Sequence, residues 1–411
     1  MGLGVYCVVA SKAWQRRHCL IVSKTFIEFI AFVEFIEFIA FLAPKTSQKR
    51  HADVAHPLKC GRFSGKQKEM KNLAEEDFLR GPSLKGRQRE TWKEILCGSI
   101  TTARELSEHF EIDDSGLGTV VSQYPMRINP YYLGLIKEKG DHLYKQAVPD
   151  LREITDPRGY EDPLDEEARS PVPGLTHKYP DRVLFLVSGE CALYCRFCNR
   201  KRKVGRPQAV TAETIREGIS YIKGSPKVRD VLLSGGDPLL LPDKMLYRIL
   251  NELRSVSHVE IIRIGTRVPC TLPQRVTPEL AAMLRGFHPL YISTHFNHPD
   301  EVTPEAGFAC AMLAEAGIPL GCQTVLLKGV NDNAATMHLL IRKLIANRIR
   351  PYYLFQADLA RGTAHFWTPA HQGIEIMEKL RVQTSGFCLP HFVIDLPQGG
   401  GKVPIQKGFS R

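Results

Sequence analysis

The chain is poor in the features that mark secreted, membrane-spanning or nucleic-acid-binding proteins. It has 11 cysteines in 411 residues, too few and too scattered for a disulfide scaffold of this length. The apolar stretch FIEFIAFVEFIEFIAFLA, Phe26 to Ala43, has the length of a span but contains Glu28, Glu34 and Glu37, each costly in hydrocarbon. It also lacks the small-residue cleavage pattern of a secretory signal. No dense basic stripe interleaved with aromatics occurs. The formal charge is +11, but residues 1–69 hold 11 Lys or Arg against 5 Asp or Glu, so over half of the excess sits there. Nucleic acid is therefore not the expected partner.

What remains is ordinary for a globular enzyme: 43% hydrophobic and 24% charged residues in a chain long enough for one large domain with an appendage. Residues 1–69, with their Phe/Ile/Glu repeat, read as an extension outside the fold, the alternative being a peripheral amphipathic anchor. Ordinary globular composition begins at Met70. Residues 70–170 read as a mostly helical region, with amphipathic stretches such as ETWKEILCG and ARELSEHF followed by a polar, proline-containing link.

From about 171 the pattern changes to alternating apolar and helical runs. Strands are expected at Val183–Gly189, Asp230–Gly236, Glu260–Arg267, Pro289–Phe296, Pro319–Leu327 and Arg350–Asp358. Helices are expected at 211–224, 243–255, 278–286, 301–316, 334–347 and 369–382. Alternating β and α with near-continuous apolar strands predicts a parallel sheet buried on both faces. Six units are too few for a closed eight-fold barrel, so the fold class is α/β, an open (β/α)6 partial barrel over 171–390. Residues 391–411 then form a glycine loop and short tail. Chemistry in such barrels gathers at the C-terminal ends of the strands.

Three of the cysteines, Cys191, Cys195 and Cys198, fall within eight residues as CALYCRFC, directly after the first expected strand. Three thiolates on one loop can hold three irons of a [4Fe–4S] cluster and leave the fourth open. Soft thiolates suit zinc as well. Structural zinc, however, takes four protein ligands, commonly as two pairs, and no second pair lies nearby. The clustering also points to a reducing compartment, the cytoplasm.

The C-x3-C-x2-C loop resembles the signature of the radical S-adenosylmethionine (SAM) superfamily. In that superfamily a glycine-rich segment at the end of the second strand faces the methionine part of SAM. Ser234, Gly235, Gly236 and Asp237 of SGGDP occupy that place, and by strand position Gln323 and His295 should also face SAM. Near the C-terminus, DLPQGGGKVP puts Lys402 after three glycines. The G-x4-G-K-[ST] spacing of a phosphate loop is absent, and a Schiff-base lysine for pyridoxal 5′-phosphate (PLP) fits better.

From about residue 175 to Pro404 the chain resembles the lysine 2,3-aminomutase family. The resemblance is carried by HKYPDRVLFLVSGECALYCRFCNRKR, DVLLSGGDPLL, VEIIRIGTRVPCTLPQRVTPEL, STHFNHPDE, GVND, RPYYLFQADLARGTAHFWTP, TSGFCLP and DLPQGGGKVP. It implies a [4Fe–4S] cluster on Cys191, Cys195 and Cys198, PLP on Lys402, and Tyr179 and Arg182 near the PLP phosphate. It also implies Arg200 for the substrate carboxylate, and Asp358 and Asp395 for the distal ammonium of lysine. A glutamate-specific relative would carry Lys and Asn in place of the two aspartates.

The implied reaction is an isomerisation of L-lysine to L-β-lysine, begun by a 5′-deoxyadenosyl radical and completed by a 1,2-amino shift. The implied partners are a small amino acid and an electron donor such as flavodoxin or ferredoxin, with a homo-oligomer as a further expectation. Alternatives are an aminomutase for another amino acid, a relative serving elongation-factor modification, and a catalytically impaired cluster- and PLP-binding protein. Zinc is not expected, because Asn333 stands where well-known members have a cysteine after GVND and no cysteine follows Lys402. Phe355 stands where tyrosine is common, and Gln398 replaces a loop glycine.

Overall fold

The computed structural model describes residues 91–113, 115–206, 210–396 and 401–406. The Phe/Ile/Glu repeat with the rest of 1–69, the start of the expected helical region, and Gln398 with its flanking residues 397–400 lie outside the described residues.

The region before the sheet is built from short helices with strong local signals: α1 (Trp92–Cys97), α2 (Ala103–Phe110), α3 (Leu117–Gln123), α4 (Pro130–Leu133), α5 (His142–Ala147) and α6 (Arg152–Thr155). Thr91 and Thr102 each form a capping box with a glutamate three residues on, and Asp141 caps α5 through two backbone N–H groups. The stretch from Asp156 to Gly174 is not helical, as a polar, proline-containing link requires.

Among the described residues, nine strands then form one sheet whose spatial order is their chain order. They are β1 (Leu175–Tyr179), β2 (Arg182–Ser188), β3 (Asp230–Gly235), β4 (Ile261–Gly265), β5 (Leu290–Thr294), β6 (Leu320–Leu326), β7 (Ile349–Gln356), β8 (His391–Leu396) and β9 (Gly401–Pro404). From β2 to β8 every pair is parallel, while β1 and β9 add on antiparallel at the two edges. The crossovers are α7 (Ala212–Lys223), α8 (Asp243–Arg254), α9 (Val268–Thr271) with α10 (Pro278–Arg285), α11 (Pro304–Glu315), α12 (Ala334–Ala346) and α13 (Ala370–Gln383). The six expected β/α units are all present, in an open, curled half-barrel. Among the described residues, no helix is long and apolar enough to cross a membrane.

Two details differ from the sequence reading. Residues 391–396 and 401–404, set apart there as loop and tail, are sheet strands: the first pairs parallel with β7 and the second pairs antiparallel with the first. The sheet is also not buried on both faces. Val183, Phe185, Val231, Leu233, Ile262 and Ile264 are fully covered under the helices. Along the other face Leu232, Arg263, Tyr291 and Gln323 are only partly covered or exposed. A curled sheet has a convex face for the core and a concave face that lines a site, so the apolar alternation reports only the first.

Asn333 has a structural use of its own: it is the N-cap of α12, its Oδ1 accepting the Thr336 N–H at 2.9 Å.

Candidate functional site

The cysteine loop leaves β2 and is clamped from below. Arg196, inside the loop, is buried and forms a fork with Glu153 of α6, Nε–Oε1 at 2.9 Å and Nη2–Oε2 at 2.5 Å. It also donates to the carbonyls of Pro125 and Tyr124. Lys201 donates to the same Glu153 at 2.7 Å and to the carbonyls of Arg196 and Gly362. A buried carboxylate with two cations has satisfied partners on every side, and such a cluster fixes backbone geometry. The spacing of the cysteines showed the loop; nothing in it showed this clamp.

Cys191, Cys195 and Cys198 are free thiols on this clamped loop. Burial pushes all three up, Cys198 to about 11. Three partly buried thiols, none in a disulfide and with no fourth protein thiol on the loop, form a donor set that fits an iron–sulfur cluster with one open position. At Cys195 a cation opposes the burial: Arg267 Nη1 lies 2.8 Å from its sulfur.

SGGDP follows β3 directly beside this loop. A Cβ on Gly235 or Gly236 would run into the carbonyl oxygens of Ser188 and Glu190, and Gly235 has φ +127°. The glycines are thus required by close approach of the turn to the end of β2. Asp237 is 3% exposed, and its carboxylate is consumed within the protein. It accepts from the Thr266 hydroxyl and from the N–H groups of Leu239, Arg267 and Val268. It therefore ties the turn to the end of β4. Ser234 Oγ accepts from Arg200 at 3.3 Å. His295, on the loop after β5, is bonded to Asn297, and burial lowers its pKa to about 4, so the ring is neutral. Gln323 lies on the concave face of β6, opposite the buried Cys322 and Thr324.

The remaining residues meet at the β7–β9 edge. Asp358, just past β7, accepts from Asn199 of the cysteine loop at 2.7 Å, while its Oδ1 is buried without a partner. Burial, reinforced by Asp395, pushes its pKa up to about 6. Asp395, on β8, is 9% exposed and binds two ammonium groups, Lys178 at 2.9 Å and Lys402 at 3.0 Å. Burial opposes its ionisation, but the two lysines outweigh it and hold its pKa below the ordinary value. Asp358 and Asp395 line one cleft, whose other walls include Pro163, Leu164 and Ile394.

Lys402 sits on β9 after Gly401, whose φ is +84°. The Tyr179 hydroxyl accepts the Lys402 backbone N–H at 3.3 Å, and Arg182 stacks on the Tyr179 ring at 4.0 Å. Lys178, Arg182 and Lys402 thus bring three cations together where β1 and β2 approach β9, a donor set that fits a phosphate-bearing PLP beside a tethering lysine. Arg200 is less simply placed than expected. Glu166 grips its Nε and Nη2 at 2.6 to 3.1 Å, leaving Nη1 to donate to Ser234 Oγ at 3.3 Å.

Sequence reasoning missed Glu166, Lys178, Asn199 and Arg267. Asn199 and Lys178 adjoin residues already singled out, so proximity could have found them. Glu166 and Arg267 meet their partners only through the fold.

Comparison with known proteins gives a consistent picture. The family model for the radical SAM superfamily matches residues 185–340, and that for lysine-2,3-aminomutase matches 377–409. The chain is 48% identical to L-lysine 2,3-aminomutase of Clostridium subterminale, over 77% of this chain and 78% of that one. It is 49% identical to L-lysine 2,3-aminomutase of Acetoanaerobium sticklandii over the same shares. Glutamate 2,3-aminomutase of Clostridioides difficile is 44% identical, over 76% of each chain.

Proposed function

The chain belongs to the lysine 2,3-aminomutase family of radical SAM enzymes, and from that premise we propose that it converts L-lysine to L-β-lysine. It is an isomerase that uses a [4Fe–4S] cluster, SAM and PLP.

The observation that carries the choice of lysine is the charge at the β7–β8 edge. Asp395 already accepts two lysine ammonium groups, and the buried Asp358 Oδ1 is an acceptor with no donor. A third ammonium on the substrate would satisfy it. A glutamate carboxylate would instead face two acids in a dry cleft, where like charges are strongly repelled.

When bound, the cluster and SAM supply the radical that removes hydrogen, and PLP supplies the carrier for the migrating nitrogen. The chain's residues bind, orient and exclude water. Cys191, Cys195 and Cys198 hold the cluster. Ser234, His295 and Gln323 line the concave face where SAM would lie, and Gly235, Gly236 and Asp237 shape the turn beneath it. Lys402 is the covalent tether for PLP, with Tyr179 fixing its backbone and Arg182 and Lys178 offering charge to the phosphate. Lys402 must leave Asp395 to act as tether, and its departure frees a carboxylate oxygen for the distal ammonium of the substrate. Glu166 orients Arg200 from one edge, so that Nη1 can meet the substrate carboxylate. An external one-electron donor of the flavodoxin or ferredoxin kind is the expected partner. Eight unpaired cysteines among the described residues support a reducing, cytoplasmic setting.

The test is turnover by anaerobically reconstituted protein with SAM, PLP and dithionite against lysine, glutamate, arginine and ornithine. β-Lysine from lysine is expected. Preference for glutamate, or cofactor spectra without any turnover, would overturn the reading.

A further inference from the structure

We propose that Arg267 and Glu301 together set the reduction potential of the iron–sulfur cluster, through the hydrogen bond from Arg267 to Cys195. The inference rests on reading Cys191, Cys195 and Cys198 as the cluster ligands.

Arg267 stands just past β4, with Nη1 2.8 Å from the Cys195 sulfur. Its other terminal nitrogen, Nη2, donates to Glu301 at 2.7 Å and to Gln146 at 2.8 Å. Its backbone N–H is held by Asp237 at 2.7 Å. The guanidinium lies against the rings of Phe197, at 5.2 Å, and Tyr132, at 5.8 Å. Glu301 is 0% exposed and is itself fixed by the Tyr132 hydroxyl and the N–H groups of Asn297 and His298. The cation therefore cannot swing away. It is a permanent part of the wall of the cluster site.

The three cysteines are not equivalent in this respect. The Cys198 sulfur takes a backbone N–H from Arg200 at 3.4 Å, a neutral donor, whereas Cys195 takes a charged one. Charged donors make the stronger hydrogen bonds, and the low polarity of the surroundings amplifies them. One electron added to the cluster, from the 2+ to the 1+ state, raises the negative charge that its sulfurs share. A fixed cation and N–H donor at one sulfur stabilise the reduced state and raise the potential. Glu301, directly behind the guanidinium, opposes this by neutralising part of its field. The potential is thus set by a charge series running from thiolate to guanidinium to carboxylate, and the two protein charges act with opposite signs.

The signs give the test. Midpoint potentials are measured by EPR-monitored titration with dithionite on reconstituted protein, after iron and sulfide analysis has confirmed a full cluster. Glu301→Gln keeps the hydrogen bond to Arg267 and removes the opposing charge, so its potential should rise. Arg267→Met combined with E301Q leaves no unpaired buried carboxylate, and its potential should fall below that of E301Q. If the double variant fails to hold a cluster, the E301Q shift alone decides: an upward shift supports the proposal, and no shift or a downward one overturns it. Equal potentials for E301Q and the double variant would also overturn it, leaving Arg267 as packing. Failure of the unaltered protein to take up four irons would instead remove the cluster assignment itself.

Discussion

The ammonium of Lys402 lies 3.0 Å from the carboxylate of Asp395, because the antiparallel register of β8 and β9 sets these two residues directly opposite one another. Cross-strand partners point to the same side of a sheet, so the lysine proposed to hold PLP and the aspartate proposed to recognise substrate share one space. One cannot be changed without altering the other.

Replacing Lys402 with alanine should abolish PLP attachment and reduce turnover by about 10³-fold or more, the scale for losing a covalent catalytic group. Borohydride reduction followed by peptide mapping should find the pyridoxyl label on the peptide containing Lys402 in the parent protein. A label elsewhere, or an unaltered label in K402A, contradicts the role.

Asp358→Asn should weaken lysine binding by about 2–5 kcal/mol, the usual cost of removing one member of a buried charge pair. Turnover at saturating lysine should suffer less than KM. Ornithine, with a shorter stem, should lose less in the variant than lysine does. A KM for lysine unchanged in D358N would remove Asp358 from the binding site.

The raised pKa of Asp358, about 6, gives two pH effects of opposite sense. Lysine binding needs the ionised carboxylate, so KM should fall as pH rises toward 6 and level off above it. Folding responds the other way. With the folded pKa above the unfolded one, near 3.9, the contribution of this group to stability is full below about pH 4. It is lost as pH rises through 6, by roughly 3 kcal/mol. Chemical unfolding of the parent and D358N across pH 4 to 7 should show the gap between them changing within that window. A gap constant with pH contradicts the shift.

Glu153→Gln should destabilise the protein by about 3–5 kcal/mol, since it leaves Arg196 and Lys201 as uncompensated buried cations. Because Arg196 lies within the cysteine loop and Lys201 just after it, iron content after reconstitution should drop as well. Lys201, whose pKa burial lowers to about 8, should then lose its proton more readily. Full iron content in a well-folded E153Q would show that the loop holds its shape without the clamp.

Much of the site was legible in the sequence because its chemistry is local. Cys191, Cys195 and Cys198 lie on one loop, and SGGDP and GGGK are contiguous strings. The crossover helices announced themselves through apolar spacing, a short-range signal, and three of them open on the side-chain caps Thr211, Thr277 and Thr303. The alternation of β and α then left little choice but a parallel, open barrel.

Tertiary structure alone decided which charges meet. Arg200 faces Glu166 across 34 residues, Arg196 faces Glu153 across 43, and Lys178 faces Asp395 across 217. No periodicity encodes such pairings, because Coulomb attraction acts on distance in space and the chain brings these groups together only when the sheet curls. The same curling decided that one sheet face is core and the other a cavity wall. It also carried β8 and β9 to the edge beside β7 and left one oxygen of Asp358 buried without a donor. The amino-acid order determined what chemistry the chain carries; the fold determined which residue acts upon which.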